Sequence, residues 1–406
     1  MLSSPSGFRE RCSYENIVID RPPSNRCAGC HAPRFGEGGS GGGLLRGLDL
    51  RGVNRDDDGL MNDSKRIPVA VVGVGRMGQH HARVYHELPS VQLLTVVDAD
   101  AQRRDALADK FGCDALASVD ELLEKYPHVQ AASVAVPTVH HEAVAGQLMA
   151  HGVACLVEKP LAQSADVAHR MVESAKKFNV LLQVGHTERF NPAVRAIASW
   201  NFIPRFIECD RVSPMTFRSV DVGVVFDMMI HDLDIVLKLA RGKVKDVAAC
   251  GVNILGTHED IADARIVFDD GCVAKLTASR LAMKTERKLR VFSESGYVSL
   301  DYASKSGTAI RRTGNIEQLL EIRNQLADGA DLSALRYTDL VAMEELTIND
   351  EEPLRAELTN FIEAVKGDQK PEVDAEAGLA AVNLAEAVVT AIRNHEWKGL
   401  DLKKLI

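Results

Sequence analysis

No run of about 18 consecutive apolar residues occurs along this chain, so nothing in it reads as a membrane span. The first 25 residues hold no apolar core of the kind that drives secretion. Basic segments are missing too. With 48 Lys+Arg against 57 Asp+Glu the net charge is −9, and no stretch offers a positive track for a phosphate backbone. These absences speak against a membrane protein and a nucleic-acid binder and lead us to expect a cytoplasmic globular protein. No segment repeats itself, which excludes a solenoid or a propeller.

Paired metal-ligand spacings are nearly absent. The eight cysteines (Cys12, Cys27, Cys30, Cys113, Cys155, Cys209, Cys250, Cys272) are scattered, several in apolar, strand-like stretches, and read as free thiols of a reducing compartment. Cys27-Ala28-Gly29-Cys30-His31 has the spacing of c-type haem attachment and of half a zinc site. Haem attachment of that type needs export, and zinc needs a second ligand pair nearby, so we expect neither haem nor metal.

What is present is apolar sequence enough for more than one core. Apolar residues are 46% of the chain, and 406 residues exceed the roughly 250 to 300 at which single cores stop growing. Residues 1–64 stand apart. They lack hydrophobic periodicity, carry the flexible run from Gly36 to Gly43 and the acidic Asp56-Asp57-Asp58, and read as a disordered extension. Met61 lies just ahead of the first strand, at the place where a chain without that extension would start.

From Ile67 an apolar segment leads into Gly73-Val74-Gly75-Arg76-Met77-Gly78, and a second one, Val91 to Val97, ends on Asp98. Strand, glycine turn, helix, strand and terminal acid form a dinucleotide-binding unit. Gly73 allows the tight turn, Gly75 the approach of a pyrophosphate, and Gly78 the close packing of helix on strand, while free N–H groups of the helix start face the anion. Arg76 and Met77 complete the turn. Asp98, 20 residues beyond Gly78, is placed to accept both ribose hydroxyls of NAD and to repel a 2′-phosphate. Arg103 and Arg104 follow closely, which keeps NADP as an alternative.

Strand and helix then alternate: helices over Met77–Leu88, Ala101–Phe111, Val119–Tyr126, His141–Ala150 and Ser164–Phe178, strands over Ala131–Val136, Ala154–Val157 and Leu181–Val184. This predicts a doubly wound parallel sheet over 65–186. Over 187–352 the pattern turns to longer β-rich stretches (Arg205–Val212, Val244–Leu255, Ala262–Asp269, Cys272–Arg280, Lys288–Asp301), interrupted by a helix Phe226–Ala240. We expect there an α/β domain with an open, mainly antiparallel sheet for substrate binding and oligomerisation. Leu354–Lys366 and Ala375–Asn394, within 353–406, read as terminal helices packed back on the first domain.

Glu158-Lys159-Pro160 follows the fifth strand, where a lysine beside a cofactor can exchange a proton with a substrate hydroxyl once its surroundings bring its pKa down. Asp227 and His231 stand i, i+4, so a helix presents both from one face, with the carboxylate as partner of the imidazole.

The glycine turn, Val136-Pro137-Thr138-Val139-His140-His141, Glu158-Lys159-Pro160 and Asp227-x-x-x-His231 together resemble, in order and spacing, the glucose-fructose oxidoreductase / inositol dehydrogenase / rhizopine catabolism (Gfo/Idh/MocA) family, from Ile67 to the carboxyl terminus. The resemblance implies an enzyme that uses NAD(P) on sugar-like alcohols. It makes Lys159 the proton-transferring lysine, His231 a substrate-orienting or acid/base histidine and Asp227 its partner. Pro137, Thr138 and His141 would border the nicotinamide, and Glu158 and Lys159 its ribose. The segments Val184–Val194 and Asp221–Asp234 resemble the branch containing UDP-N-acetylglucosamine 3-dehydrogenases. That implies oxidation of a sugar C3 hydroxyl, with Arg189, Asn191, Asp227 and His231 at the substrate. Arg189, Arg211 and Arg218 lie close in sequence to these segments, where each is either a partner for a diphosphate or a solvated charge. Alternatives are an inositol, free-sugar or nucleotide-uronate dehydrogenase or reductase of the same family, and a non-catalytic NAD-binding metabolite sensor. The resemblance further implies a homodimer or homotetramer.

Overall fold

The computed structural model describes residues 66–395 apart from 199, 201, 217–221, 256, 303, 313–315 and 328–340. The amino-terminal extension, with Cys12, Cys27, Cys30 and the CxxCH spacing, and Arg218 lie outside the described residues.

The first half is built from β1 (Ile67–Val72), α1 (Gly78–Glu87), β2 (Val91–Val97), α2 (Ala101–Phe111), β3 (Asp114–Leu116), α3 (Val119–Lys125), β4 (Ala131–Val134), α4 (His141–Ala150), β5 (Ala154–Glu158), α5 (Ala165–Phe178) and β6 (Leu182–Gly185). Its six strands run in the order β3-β2-β1-β4-β5-β6, and every pairing is parallel. The order reverses between β1 and β4, the place where open α/β sheets bind ligands. Because helices cover both faces, β1 is a continuous apolar run with no alternation of exposure. Val69 and Val71 join one core layer, and Ala70 and Val72 join the other. The helices end where local chemistry ends them. Asp100, Ser118 and Ser164 accept hydrogen bonds from the backbone N–H groups of Arg103, Glu121 and Val167 at the starts of α2, α3 and α5. On α5 the buried residues Ala168, Met171, Val172 and Ala175 form one stripe.

The second half carries α6 (Pro192–Ala198), β7 (Phe206–Val212), α7 (Ile230–Leu239), β8 (Val244–Val252), β9 (Ile261–Phe268), β10 (Val273–Ser279), β11 (Glu286–Ser293), β12 (Gly296–Asp301), β13 (Ser306–Arg312), α8 (Ile316–Ala327) and β14 (Val341–Glu345). These strands form a second sheet, β14-β13-β12-β11-β7-β10-β9-β8, antiparallel except where β10 pairs with β7. Alternate residues are buried: Ala262, Ala264, Ile266 and Phe268 on β9, Ala274, Leu276 and Ala278 on β10, Leu289 and Val291 on β11. That apolar face packs on α7 and on α10 (Ala375–Arg393), and the opposite face is half-exposed.

The segment Lys288–Asp301 is thus part of a hairpin of two strands, turned at Glu294-Ser295. The sequence reading passed over β3, β13, β14 and α6, which are short and leave little hydrophobic period to detect, and α8, whose Ile316, Leu319, Leu320 and Leu326 do stand at helical spacing. Of the two carboxyl-terminal helices, α9 (Pro353–Lys366) sets Leu354, Leu358, Phe361 and Ile362 into the core layer shared with β1 and α1. The other, α10, lies against α5 and β6 on one side and α7 and β8 on the other, so it joins both halves. By length and composition α10 is apolar enough to cross a bilayer, yet its buried residues, among them Ala381, Val382, Leu384 and Val388, pack in the protein core.

Candidate active site

The carboxyl ends of β1, β2, β4 and β5 open into a cleft of 1510 Å³ whose far wall comes from β7, β11 and the entry to α7. On the nucleotide side the glycine turn has the stereochemistry its sequence requires. Gly73 has φ +86°, and a Cβ there would lie 2.6 Å from the Val136 backbone nitrogen. A Cβ on Gly78 would lie 1.8 Å from the Gly73 carbonyl oxygen. A Cβ on Gly75, by contrast, would meet nothing within 4 Å, and Gly75, Arg76 and Met77 all line the cleft. The floor is therefore open where a pyrophosphate would come against backbone N–H groups at the start of α1.

Asp98 ends β2 beside this turn. Its Oδ2 accepts from Val74 N at 2.8 Å and its Oδ1 from Asp100 N at 2.8 Å, which fixes the carboxylate at the cleft edge. Arg103 stays on this carboxylate and on Asp100 (3.6 and 3.0 Å), and Arg104 is bound to Asp105 at 2.8 Å. Both candidate readers of a 2′-phosphate are thus engaged with carboxylates. Pro137 and Thr138 line the cleft from the 3-10 turn Thr138–His140 that follows β4. These residues fit a dinucleotide lying across the switch point.

Lys159 stands at the end of β5, joined by a cis peptide to Pro160. Its Nζ donates to the Asp227 carbonyl oxygen at 2.7 Å and lies 3.7 Å from Asp227 Oδ1. Burial pushes the lysine pKa below the ordinary value, against the opposing charges of Asp227 and Glu158. Asp227 lies in a π-helical turn, Val225–Met229, that leads into α7. Glu259 holds the start of that turn: its Oε1 accepts from Val225 N at 3.2 Å. His231 follows on α7 and lines the cleft with Asp227 and Lys159. Burial, with the nearby positive charges of Lys159 and Arg211, keeps the imidazole well below its usual pKa, and so neutral.

Several sequence expectations need correction. Asp227 does not hold the imidazole: it is bonded to Lys159 instead, and His231 Nδ1 has no hydrogen-bond partner in the described structure. The π turn changes the offset that an i, i+4 pair would have on a regular α-helix. Glu158 lines the cleft, but its carboxylate is already bonded: its Oε1 meets His81 Nε2 at 2.9 Å and its Oε2 accepts from Lys159 N at 3.2 Å. Burial would raise this carboxyl, but the His81 hydrogen bond and the Lys159 charge hold it below the usual carboxylate range. His141 is buried, with its ring nitrogens 3.0 Å from the Val136 carbonyl and 3.1 Å from that of Pro160. It lines the cleft, as Pro137 and Thr138 do, and its ring nitrogens tie together the loops that carry Pro137 and Lys159.

Arg189 is not at the substrate. Its guanidinium is buried against Asp234 through two bonds of 2.6 Å and donates to the Glu372 carbonyl. Asn191 does line the cleft, but its amide donates to Glu188 and its oxygen caps Ala193 N. Arg211 also lines the cleft, with a guanidinium engaged by Asp232 and Glu188. The sequence reading missed His81, Ser133 and Tyr85, a buried hydrogen-bonded row behind Glu158, because single polar residues on apolar elements carry no motif. It also missed Glu188 and Arg287 on the substrate wall. Arg287 could have been found from its place in phase with Leu289 and Val291, where the apolar row of β11 is broken.

Fold and site together define a dinucleotide-binding oxidoreductase of the Rossmann class. Comparison with known proteins makes this specific. Residues 67–186 match the model of the Gfo/Idh/MocA oxidoreductase family, NAD-binding Rossmann fold, and residues 194–299 match the Gfo/Idh/MocA carboxyl-terminal domain. The chain belongs to that family, and NAD is its cofactor. It is 32% identical over 324 residues to the UDP-N-acetylglucosamine 3-dehydrogenase of Acidithiobacillus ferrooxidans, covering 79% of this chain and 96% of the relative. The crystal structure of that relative superimposes with a TM-score of 0.72 at 30% identity, covering 80% of this chain and 97% of that one. The myo-inositol 2-dehydrogenase of Thermotoga maritima is 24% identical over 83% of this chain and 99% of its own. GenD2 from gentamicin A biosynthesis, solved in complex with NAD, shares the fold at 23% identity and a TM-score of 0.66, over 86% and 98% of the two chains.

Proposed function

We propose that this protein oxidises the C3 hydroxyl of a UDP-N-acetylhexosamine with NAD. The observation that carries the chemistry is Lys159: a lysine with a lowered pKa at the carboxyl end of β5, in the same cleft as the glycine turn and Asp98, held to Asp227 and close to a neutral His231. The substrate is favoured by the 32% identity to a UDP-N-acetylglucosamine 3-dehydrogenase along 96% of that relative.

NAD, when bound, supplies the hydride acceptor. Lys159 takes the proton of the substrate hydroxyl, a task for which its amine must be neutral, and burial favours that form. The Asp227 carbonyl accepts one lysine N–H and aims the nitrogen lone pair. His231, neutral and unpaired at Nδ1, orients the same hydroxyl by hydrogen bonding. Glu158 positions Lys159 through the backbone bond to its N–H and is itself set by His81. A sensor that only bound NAD would have no use for a depressed lysine beside this turn.

The test is formation of NADH from NAD and UDP-N-acetylglucosamine, followed by absorbance, with wild type beside Lys159→Ala. Turnover that falls at least 100-fold in the variant while NAD binding persists is the expected result. No turnover of any UDP-N-acetylhexosamine by a wild-type protein that binds NAD, with turnover of myo-inositol, would replace this reading by the inositol dehydrogenase one.

A further inference from the structure

Among the described residues on the substrate side of the cleft, Arg211, Arg280 and Lys159 are each committed to a carboxylate, and so is Arg189 behind them. Arg211 is bonded to Asp232 and Glu188, Arg280 to Asp260, Arg189 behind the wall to Asp234, and Lys159 to Asp227. Arg287, on β11, lines the same cleft, is exposed, and makes no ion pair or side-chain hydrogen bond among the described residues.

Its place in the sheet is unusual. β11 and β7 are antiparallel, and Arg287 sits directly opposite Arg211. Like charges in that position repel. At Arg211 two carboxylates bond the guanidinium, whereas among the described residues no carboxylate is in ion-pair contact with Arg287. The residue is also in phase with Leu289 and Val291, both fully buried, so it stands on the covered face of the sheet at the point where helices stop covering it and the cleft begins. Its backbone is pinned there, since the Arg287 carbonyl accepts from Tyr302 N at 2.8 Å. Its positive charge is felt at His231, Glu188 and Asp232, which puts the guanidinium within electrostatic reach of the catalytic cluster.

We infer that Arg287 is the residue that reads the anionic part of the substrate, pairing with a phosphate of a sugar diphosphate while the sugar lies between Lys159 and His231. This deepens the proposed function and rests on it. A guanidinium presents paired donors to phosphate oxygens and keeps its charge at every working pH. The assignment also sets direction: the diphosphate lies toward β11 and the reacting ring toward α7 and β5. Arg211, already paired with Asp232 and Glu188, leaves Arg287 as the guanidinium open to an anion on this wall.

The experiment compares wild type, Arg287→Ala, Arg287→Lys and Arg290→Ala in NAD-dependent oxidation of UDP-N-acetylglucosamine and of uncharged N-acetylglucosamine. Arg290 lies on the outer face, paired with Glu208, and its variant should match wild type. Arg287→Ala should raise KM for the UDP-sugar roughly 10- to 100-fold, with the larger part of the loss in KM rather than kcat. KM for the uncharged sugar should stay unchanged, and Arg287→Lys should recover part of the loss. An equal KM for the UDP-sugar in wild type and Arg287→Ala would overturn the inference. If wild type turns over neither sugar, the UDP-sugar reading fails by itself, and calorimetric titration of the NAD-loaded protein with UDP decides the arginine. UDP binding weakened tenfold or more in Arg287→Ala upholds its role, and equal binding, or none in wild type, overturns it.

Discussion

The second and third glycines of the nucleotide turn, Gly75 and Gly78, should respond to the same substitution in opposite ways. In Gly78→Ala the new Cβ would lie 1.8 Å from the Gly73 carbonyl oxygen, whereas ordinary contacts begin near about 3.5 Å. Helix α1 and the turn must therefore separate by about 1.7 Å. The atom in the way is backbone, and Gly73 is itself confined by Val136 N, so no side-chain rotation relieves the clash. Overpacking of this kind costs about 1–3 kcal/mol, which lowers Tm by several degrees. Displacing the helix start by more than 1 Å should weaken NAD binding by on the order of 100-fold. In Gly75→Ala the Cβ meets nothing. The unliganded protein should melt at the wild-type temperature or slightly above it, because alanine restricts the unfolded chain by about 0.4–1 kcal/mol. Its NAD affinity should nevertheless fall at least tenfold, since the methyl group stands where the pyrophosphate approaches. Thermal melting without ligand and calorimetric titration with NAD separate the two effects. A Gly78→Ala protein that melts and binds like wild type would refute the close-packed turn, and a Gly75→Ala protein with wild-type NAD affinity would refute the placement of the pyrophosphate.

Three other outcomes follow from named contacts. The charge of Asp227 opposes the fall in the Lys159 pKa caused by burial, so Asp227→Asn should move the rising limb of the kcat/KM profile for oxidation to lower pH; an unmoved limb, or one at higher pH, would show that Lys159 is not the titrating base. Asp234→Ala strands the buried Arg189 guanidinium without its two 2.6 Å partners and should cost about 3–5 kcal/mol in denaturant unfolding, much of it recovered in Asp234→Ala/Arg189→Met; a cost under about 1 kcal/mol would refute the pair's structural weight. Cys155 and Cys209 are fully buried and burial pushes both thiols up, so alkylation followed by mass spectrometry should leave them unmodified in the folded protein and modify them after denaturation.

The sequence was informative wherever a single element carries its own pattern. The bounds of helices Ala101–Phe111 and His141–Ala150 agree with the structure to the residue, because their ends are set locally, the first by the Asp100 cap and the left-handed Gly112 and the second by the turns at Thr138–His140 and His151–Gly152. The glycine turn was legible because each glycine answers a backbone constraint within one strand-turn-helix unit, and Asp98 because it ends the next strand. Lys159, Asp227 and His231 could be named as one proton-handling set from two separated segments, a reading that the resemblance of their order and spacing to a family strengthened.

What the sequence could not show is which charged group faces which. Arg189 and Arg211 have the same look in the chain, beside pocket segments and rich in neighbours of opposite charge. In the folded protein Asp234 draws the first behind the wall, and Asp232 and Glu188 neutralise the second. Arg287 attracted no notice, yet it stands at the cleft without an ion pair among the described residues, opposite Arg211 because β11 lies beside β7, strands separated by 73 residues of sequence between Val212 and Glu286 that hold a helix and three other strands. Asp227 was assigned to the nearer histidine, and the π turn and the approach of β5 gave it to Lys159. Local order determined the dinucleotide fold and its turn, because backbone sterics and hydrophobic period act over a few residues. Only the tertiary structure decided the partners of each charge and the pKa of each catalytic group, because burial and ion pairing are set by elements that meet from distant parts of the chain.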